Sequence, residues 1–241
     1  MDGVFASSRG RTMQAWIQEW HPAPYRLLYD ARPSAKLEVL QHSAFAFLDN
    51  TDDPTNCHVY FIAGYCDITV RERRGSYEEV YYIESRQETV DRMTKLIDSI
   101  SRDITFYGAK PCFSTIIPGS LADWNHLRKS QGKTSHLRYS HQYQDMQNSM
   151  NMAIMDINQH ISATNYSNNM QTPHLASTII TQRHNVKPRF HLSRLADGVH
   201  PTQELSDRWA IWLQKSIANN RYAATPDLSS WDNLRSASDQ E

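Results

Sequence analysis

The chain has 241 residues, 39% of them hydrophobic and 21% charged, with 25 basic and 26 acidic side chains and a formal net charge of −1. This composition can build a core and argues against global disorder. The near-neutral balance offers no strong basic field for nucleic acid or an anionic membrane. No apolar run is long enough to span a bilayer, and Met1–Ser8 lacks the basic start and long apolar stretch of a secretory signal, so neither is expected. Three cysteines, Cys57, Cys66 and Cys112, are an odd number without repeat spacing. A disulfide framework or zinc site is therefore not expected, and an intracellular, cytoplasmic setting is.

Gly3–Ser8 (GVFASS) is a short apolar run ending in small residues, and Arg11–Trp20 carries Met13, Trp16, Ile17 and Trp20 at helical spacing. The pattern predicts strand, tight turn and amphipathic helix, the helix ended by His21-Pro22 and Pro24. Tyr25–Asp30 reads as a second strand. Ser34 is the expected cap of a helix through Leu37, Leu40, Ala44, Phe45 and Leu48, with Glu38 in its first turn. Cys57–Gly64 (CHVYFIAG) is apolar on both faces, as a central strand of a parallel sheet would be.

Thr69–Ile83 reads as a polar hairpin around Gly75, and Arg71-Glu72-Arg73-Arg74 within it as a solvated charge run. A helix follows with Val90, Met93, Ile97 and Ile100 on one face, then a strand at Pro111–Ile117 ended by Pro118-Gly119. Met146, Met150, Ala153, Ile154, Ile157 and Ile161 form a helical core stripe, and Asn165–Thr172 reads as a loop. Leu175–Thr181 fits a strand or a helix equally. Gln203–Ile217 is the closing helix, with Leu205, Trp209, Trp212 and Leu213 inward. The expected organisation is one α/β domain over 1–220 and a polar tail over 221–241.

Strands alternating with helices imply a three-layer α/β/α sandwich around a central parallel sheet, of flavodoxin-like kind. In such sheets the ligand site lies beyond the carboxyl ends of the strands. That rule selects the loops at Ser7-Ser8, around Ser34 and at Gly64-Tyr65-Cys66-Asp67. A fourth loop, LADGVHPT from Leu195 to Thr202, carries Asp197 and His200 three residues apart. A serine becomes a nucleophile when a histidine takes its proton and a third group orients that histidine. Ser8, His200 and Asp197 are the residues for those roles. Ser8 also follows a strand at the mouth of a helix, where free N–H groups can receive an oxyanion.

With these four blocks in order, the chain resembles the SGNH (GDSL-like) hydrolases from about Val4 to Ile217. Phe5–Arg9 (FASSR) lies where that family has its nucleophile motif, which implies Ser8 as nucleophile, with Ala6 and Ser7 replacing glycine and aspartate. Pro33–Leu37 (PSAKL) places Ser34 at the second-block glycine, whose contribution is a backbone N–H. Ala63–Thr69 (AGYCDIT) places Cys66 at the third-block asparagine, and a thiol is a weak donor. Asp197 and His200 match the last block in full. The resemblance implies a cofactor-free and metal-free serine esterase with Ser8, Asp197 and His200 catalytic, Ser8, Ser34 and Cys66 at the oxyanion hole, and a small ester or acylated substrate. Within the family it looks most like divergent domains encoded by animal mobile elements and related viral or host reading frames.

Other readings compete at single positions. Asp67 reads as a turn or cap residue, and Cys66 as a small hydrophobe rather than a nucleophile. Tyr65 is a pocket candidate, and Trp124 in PGSLADWN lines a pocket or anchors a surface loop. His136 and His141 are five apart, so they form no helical zinc pair. The rival for the whole chain is an SGNH fold kept as a binding or assembly module. Cys66 and Ser7 favour the module; Ser8, Asp197 and His200 favour the enzyme.

Overall fold

Apolar side chains alternate along the strands, and that alternation gives one sheet a core on each face. The structure, a computed structural model, describes residues 1–19, 27–75, 77–134, 136–182 and 186–222. Strand β1 (Asp2–Ala6) runs through a 3₁₀ turn at Ser8–Gly10 into α1 (Arg11–Glu19). Then come β2 (Leu27–Ala31), α2 (Leu37–Asp49), β3 (His58–Ile62) and the single turn α3 (Tyr65–Ile68). The hairpin β4 (Val70–Arg74) and β5 (Tyr77–Tyr81) leads to α4 (Arg86–Phe106) and β6 (Lys110–Phe113). Helices α5 (Leu121–Ser130) and α6 (Tyr143–Ser167), a short ribbon β7 (Ile180–Thr181) and β8 (Arg189–Phe190), and α7 (Gln203–Tyr222) complete the chain.

The central sheet is all parallel, in the order β2-β1-β3-β6. Phe5, Val59, Phe61 and Phe113 face a core with Leu40 of α2, Ile97 of α4 and Ile157 of α6. Their neighbours Val4, Ala6, Tyr60, Ile62 and Cys112 face the other core, with Met13 and Ile17 of α1 and Trp209 and Leu213 of α7. Period-two side chains thus make the expected α/β/α layers. The chain winds from β1 outward to β2, then returns past β1 to β3. The crevice between the carboxyl ends of β1 and β3 is therefore the switch point where such sheets bind ligands.

Strand β6 is an edge, and asparagines of α6 cover exposed peptide groups at its end and in the segment that follows it. Asn165 accepts from Phe113 N–H at 2.9 Å and donates to Phe113 O at 2.7 Å. Asn158 does the same at Ile116, at 2.6 and 2.9 Å. Asn125 of α5 serves Val80 of β5 likewise, at 2.8 and 2.6 Å. Each side-chain amide offers the donor and acceptor that a neighbouring strand would have supplied.

Several expectations change. The strand expected over Pro111–Ile117 leaves the sheet after Phe113, and Thr115 N–H turns to Pro173 O at 3.1 Å. Ser34 does not cap α2: Lys36 is the N-cap, and the carboxylate of Asp67 accepts the Leu37 N–H at 3.0 Å. Leu175–Thr178 is a 3₁₀ turn, with the strand β7 behind it. Helix α7 continues past Ile217 to Tyr222, two residues into the expected tail, because Arg221 pairs with the buried Asp2 of β1. The Trp16 side chain, residues 20–26 with the expected helix stop and the start of the second strand, and 223–241 of the tail lie outside the described residues.

Candidate active site

Ser8 is placed by the end of β1. Ser7 N–H donates to Ile62 O at 3.0 Å, which ties the turn to β3, and Gly10 N–H returns to Ser7 O at 2.9 Å. Ser8 opens the 3₁₀ turn, so its own N–H has no intrahelical acceptor.

His200 comes from a loop that folds on itself. Ala196 N–H donates to His200 O at 2.8 Å, and Asp197 Oδ1 accepts the N–H groups of Val199 and His200 at 2.9 and 2.6 Å. The other carboxylate oxygen lies 2.6 Å from His200 Nδ1, and His200 Nε2 lies 3.2 Å from Ser8 Oγ. With Nδ1–H donating to the carboxylate, Nε2 is the acceptor for the serine O–H. Burial opposes ionisation of Asp197, but the ring and backbone donors outweigh it and hold the carboxyl down at about 2. The acid therefore stays charged and fixes the imidazole tautomer.

The glycine inside this loop has a steric reason. Gly198 has φ +81°, and a Cβ there would meet Ser120 O and Trp124 N at 2.9 Å. Its carbonyl accepts Ser120 N–H at 2.6 Å, so the start of α5 supports the histidine loop from behind. Trp124 tilts over His200, with ring centroids 5.7 Å apart.

Gly64 opens α3 at φ +113°, where a Cβ would strike Ile116 at 2.5 Å. Ser34 has φ +57°, a left-handed conformation in which glycine costs nothing and serine is strained. Cys66 is half-buried in α3, and burial pushes its thiol up although Arg9 pulls the other way, so it is a poor thiolate nucleophile. Ser8, Ser34, Tyr65, Cys66, Trp124 and His200 line one open cleft of about 1130 Å³. Asp67 also lines it, but its carboxylate is spent on α2. Burial raises that carboxyl to about 6 against the Leu37 N–H, Lys36 and Arg92. Cys57, Cys66 and Cys112 are all free thiols.

Arg9 carries no sequence signal and packs against Tyr65 of the cleft. Its guanidinium is buried, stacks 4.2 Å over the Tyr65 ring and donates to Ile117 O. Burial works against its charge, while the Tyr65, Cys66 and Asp197 groups favour it. Among the described residues no group of three or more His, Cys, Asp or Glu could hold a metal ion, and no helix is long and apolar enough to cross a membrane.

No protein-family model matches the sequence, and no curated protein does. The likeness is in three dimensions. A Bacteroides fragilis protein assigned as an acylhydrolase superposes with a TM-score of 0.58 at 14% identity, over 91% of this chain and 88% of that one. A GDSL-like lipase from Bacteroides thetaiotaomicron gives 0.56 at 13%, over 90% and 88%. A lipolytic G-D-S-L protein from Veillonella parvula gives 0.55 at 10%, over 90% and 97%. The chain thus has the SGNH (GDSL-like) hydrolase fold.

Proposed function

We propose that this protein is a serine ester hydrolase that works through an acyl-enzyme on Ser8. Ser8 Oγ attacks the ester carbonyl carbon while its proton passes to His200 Nε2. Asp197 accepts from Nδ1–H and stabilises the imidazolium that forms. The oxyanion is received by the N–H groups of Ser8 and Ser34, with the Cys66 thiol adding little. Collapse of the intermediate breaks the bond to the alcohol oxygen, and His200 returns its proton to that leaving group. Water, deprotonated by His200, then attacks the acyl carbon; the bond from that carbon to Ser8 Oγ breaks, Oγ takes the proton back from His200, and the carboxylic acid leaves.

The observation that carries this reading is the relay from Asp197 to His200 to Ser8, at 2.6 and 3.2 Å, in the β1–β3 crevice. The test is turnover of a generic aryl ester together with covalent labelling by a serine-directed aryl phosphonate. Wild type should turn over and label, and Ser8→Ala should do neither. A folded wild type that shows no turnover above buffer and no labelling refutes the proposal. That result would support the second reading, an SGNH fold kept as a binding or assembly module of a mobile-element or viral protein. Two observations favour this alternative: a thiol at Cys66 where the family has an amide, and a strained serine at Ser34 where it has glycine.

A further inference from the structure

The lining of the cleft mixes apolar and charged side chains. Tyr65, Ile68, Val80 and Trp124 are its apolar part. Four cations, Arg11, Lys36, Arg71 and Arg92, also line it, against two acids, Asp67 and Glu84. This excess is local, since the whole chain carries a formal charge of −1.

The four cations are not equivalent. Arg92 donates to Glu84 at 2.8 Å and to the Asp67 carbonyl at 2.9 Å. Arg71 pairs with Glu78 and donates to Ser34 Oγ at 3.2 Å, which braces the strained Ser34 turn. Arg11 and Lys36 are exposed and form no ion pair with any described acid. Their positions matter: Arg11 lies one turn beyond Ser8, and Lys36 lies two residues beyond Ser34. Two cations without an ion-pair partner among the described residues therefore flank Ser8 and Ser34, with Lys36 also within the field of Asp67 and Glu84. Apolar side chains in the same lining lower the local dielectric and strengthen the field that such charges place on a bound group.

We propose that the cleft takes an ester bearing an anionic group, a carboxylate or a phosphate, seated on Arg11 and Lys36 while the organic part lies against Tyr65, Ile68, Val80 and Trp124. The word ester rests on the hydrolase reading; the preference for an anion is a property of the cleft alone.

The test separates the two. Binding is measured by calorimetry with three amides that carry no carboxylic ester: 4-acetamidobenzoate, 4-acetamidophenyl phosphate and the neutral 4-acetamidobenzamide. Turnover is measured in parallel on phenyl acetate and 4-acetoxybenzoate. At low ionic strength one or both anions should bind about tenfold more tightly than the neutral amide, the size expected of two partly exposed ion pairs. The tighter of the two anions identifies the headgroup chemistry. The preference should collapse in Arg11→Gln/Lys36→Gln, whose exposed side chains leave the core untouched. It should also collapse at about 1 M salt, where the Debye length is about 3 Å. Preferential anion binding without turnover of either ester supports this inference and removes the hydrolase. Turnover of both esters at equal kcat/KM, with no anion preference or no detectable anion binding, keeps the hydrolase and overturns the inference. An anion preference that survives the double substitution overturns it as well.

Discussion

Replacing Cys66 by asparagine should raise the esterase rate. In the proposed mechanism the oxyanion has two backbone donors, at Ser8 and Ser34, and a thiol in the third position. A thiol is a weak donor; an amide N–H is a strong one. Losing one side-chain donor costs a serine protease about 10²–10³ in rate, or about 2.7–4 kcal/mol. Cys66 is half-buried and opens on a cleft of about 1130 Å³, so the amide enters free space and displaces no core residue. The surroundings were not built to hold that amide at one angle, so only part of the loss returns. A gain of about tenfold to a hundredfold, about 1.4–2.7 kcal/mol, is expected. The assay is the initial rate on an aryl ester, with kcat and KM resolved separately. A donor that engages only the transition state raises kcat and leaves KM little changed. Cys66→Asp is the control, because it matches asparagine in shape but brings a negative charge and no amide donor. It should lower kcat. A folded Cys66→Asn enzyme whose kcat is unchanged or lower, or a Cys66→Asp enzyme that gains equally, would refute the argument.

Three further outcomes follow from the geometry. Ser8→Ala, His200→Ala and the double variant should fall to about the same residual aryl-ester rate, because members of one relay are strongly non-additive; near-multiplicative losses would show that they serve separate steps. Ser34→Gly should stabilise the fold by about 0.5–1 kcal/mol in denaturant unfolding, since it relieves a left-handed serine and gives back only part of that through a looser unfolded chain. Burial holds His58 neutral, down at about 4 from its ordinary 6.5, outweighing the pull of Asp2, with Arg221 and Lys110 acting in the same direction as burial. The unfolded chain then binds the extra proton first, so this contribution is complete above pH 6.5 and is lost as pH falls toward 4. Wild type should lose about 3 kcal/mol across that window relative to His58→Gln, as measured by urea unfolding at several pH values; a constant difference would contradict a buried neutral imidazole.

Local patterns carried much of this architecture. CHVYFIAG had to be buried on both faces, because period-two side chains leave an apolar strand no polar side. Asp197 and His200 could be paired from sequence because three residues of loop bring a carboxylate back to its own backbone and to the next imidazole. Placing Ser8 needed more than its local sequence: two serines after a strand suit any turn, and the resemblance to the ordered SGNH blocks singled out one of them. What tertiary structure alone decided are the contacts between distant segments. Ser8 and His200 are 192 positions apart, and they meet because the order β2-β1-β3-β6 puts the switch point beside the end of β1. The cap of α2 comes from Asp67, 30 positions beyond Leu37, so the serine that looked like the cap was free to adopt another conformation. Nothing in the local sequence marks Asn125, Asn158 and Asn165, whose side-chain amides pair with the peptide groups of Val80, Ile116 and Phe113 on distant segments. Arg11, Lys36, Arg71 and Arg92 are far apart in the sequence and come together in the lining of one cleft. The reason is the same in each case: a backbone period or a short loop is set by neighbours along the chain, whereas a hydrogen bond or charge cluster across the fold depends on strand order, register and helix placement, which no short window contains.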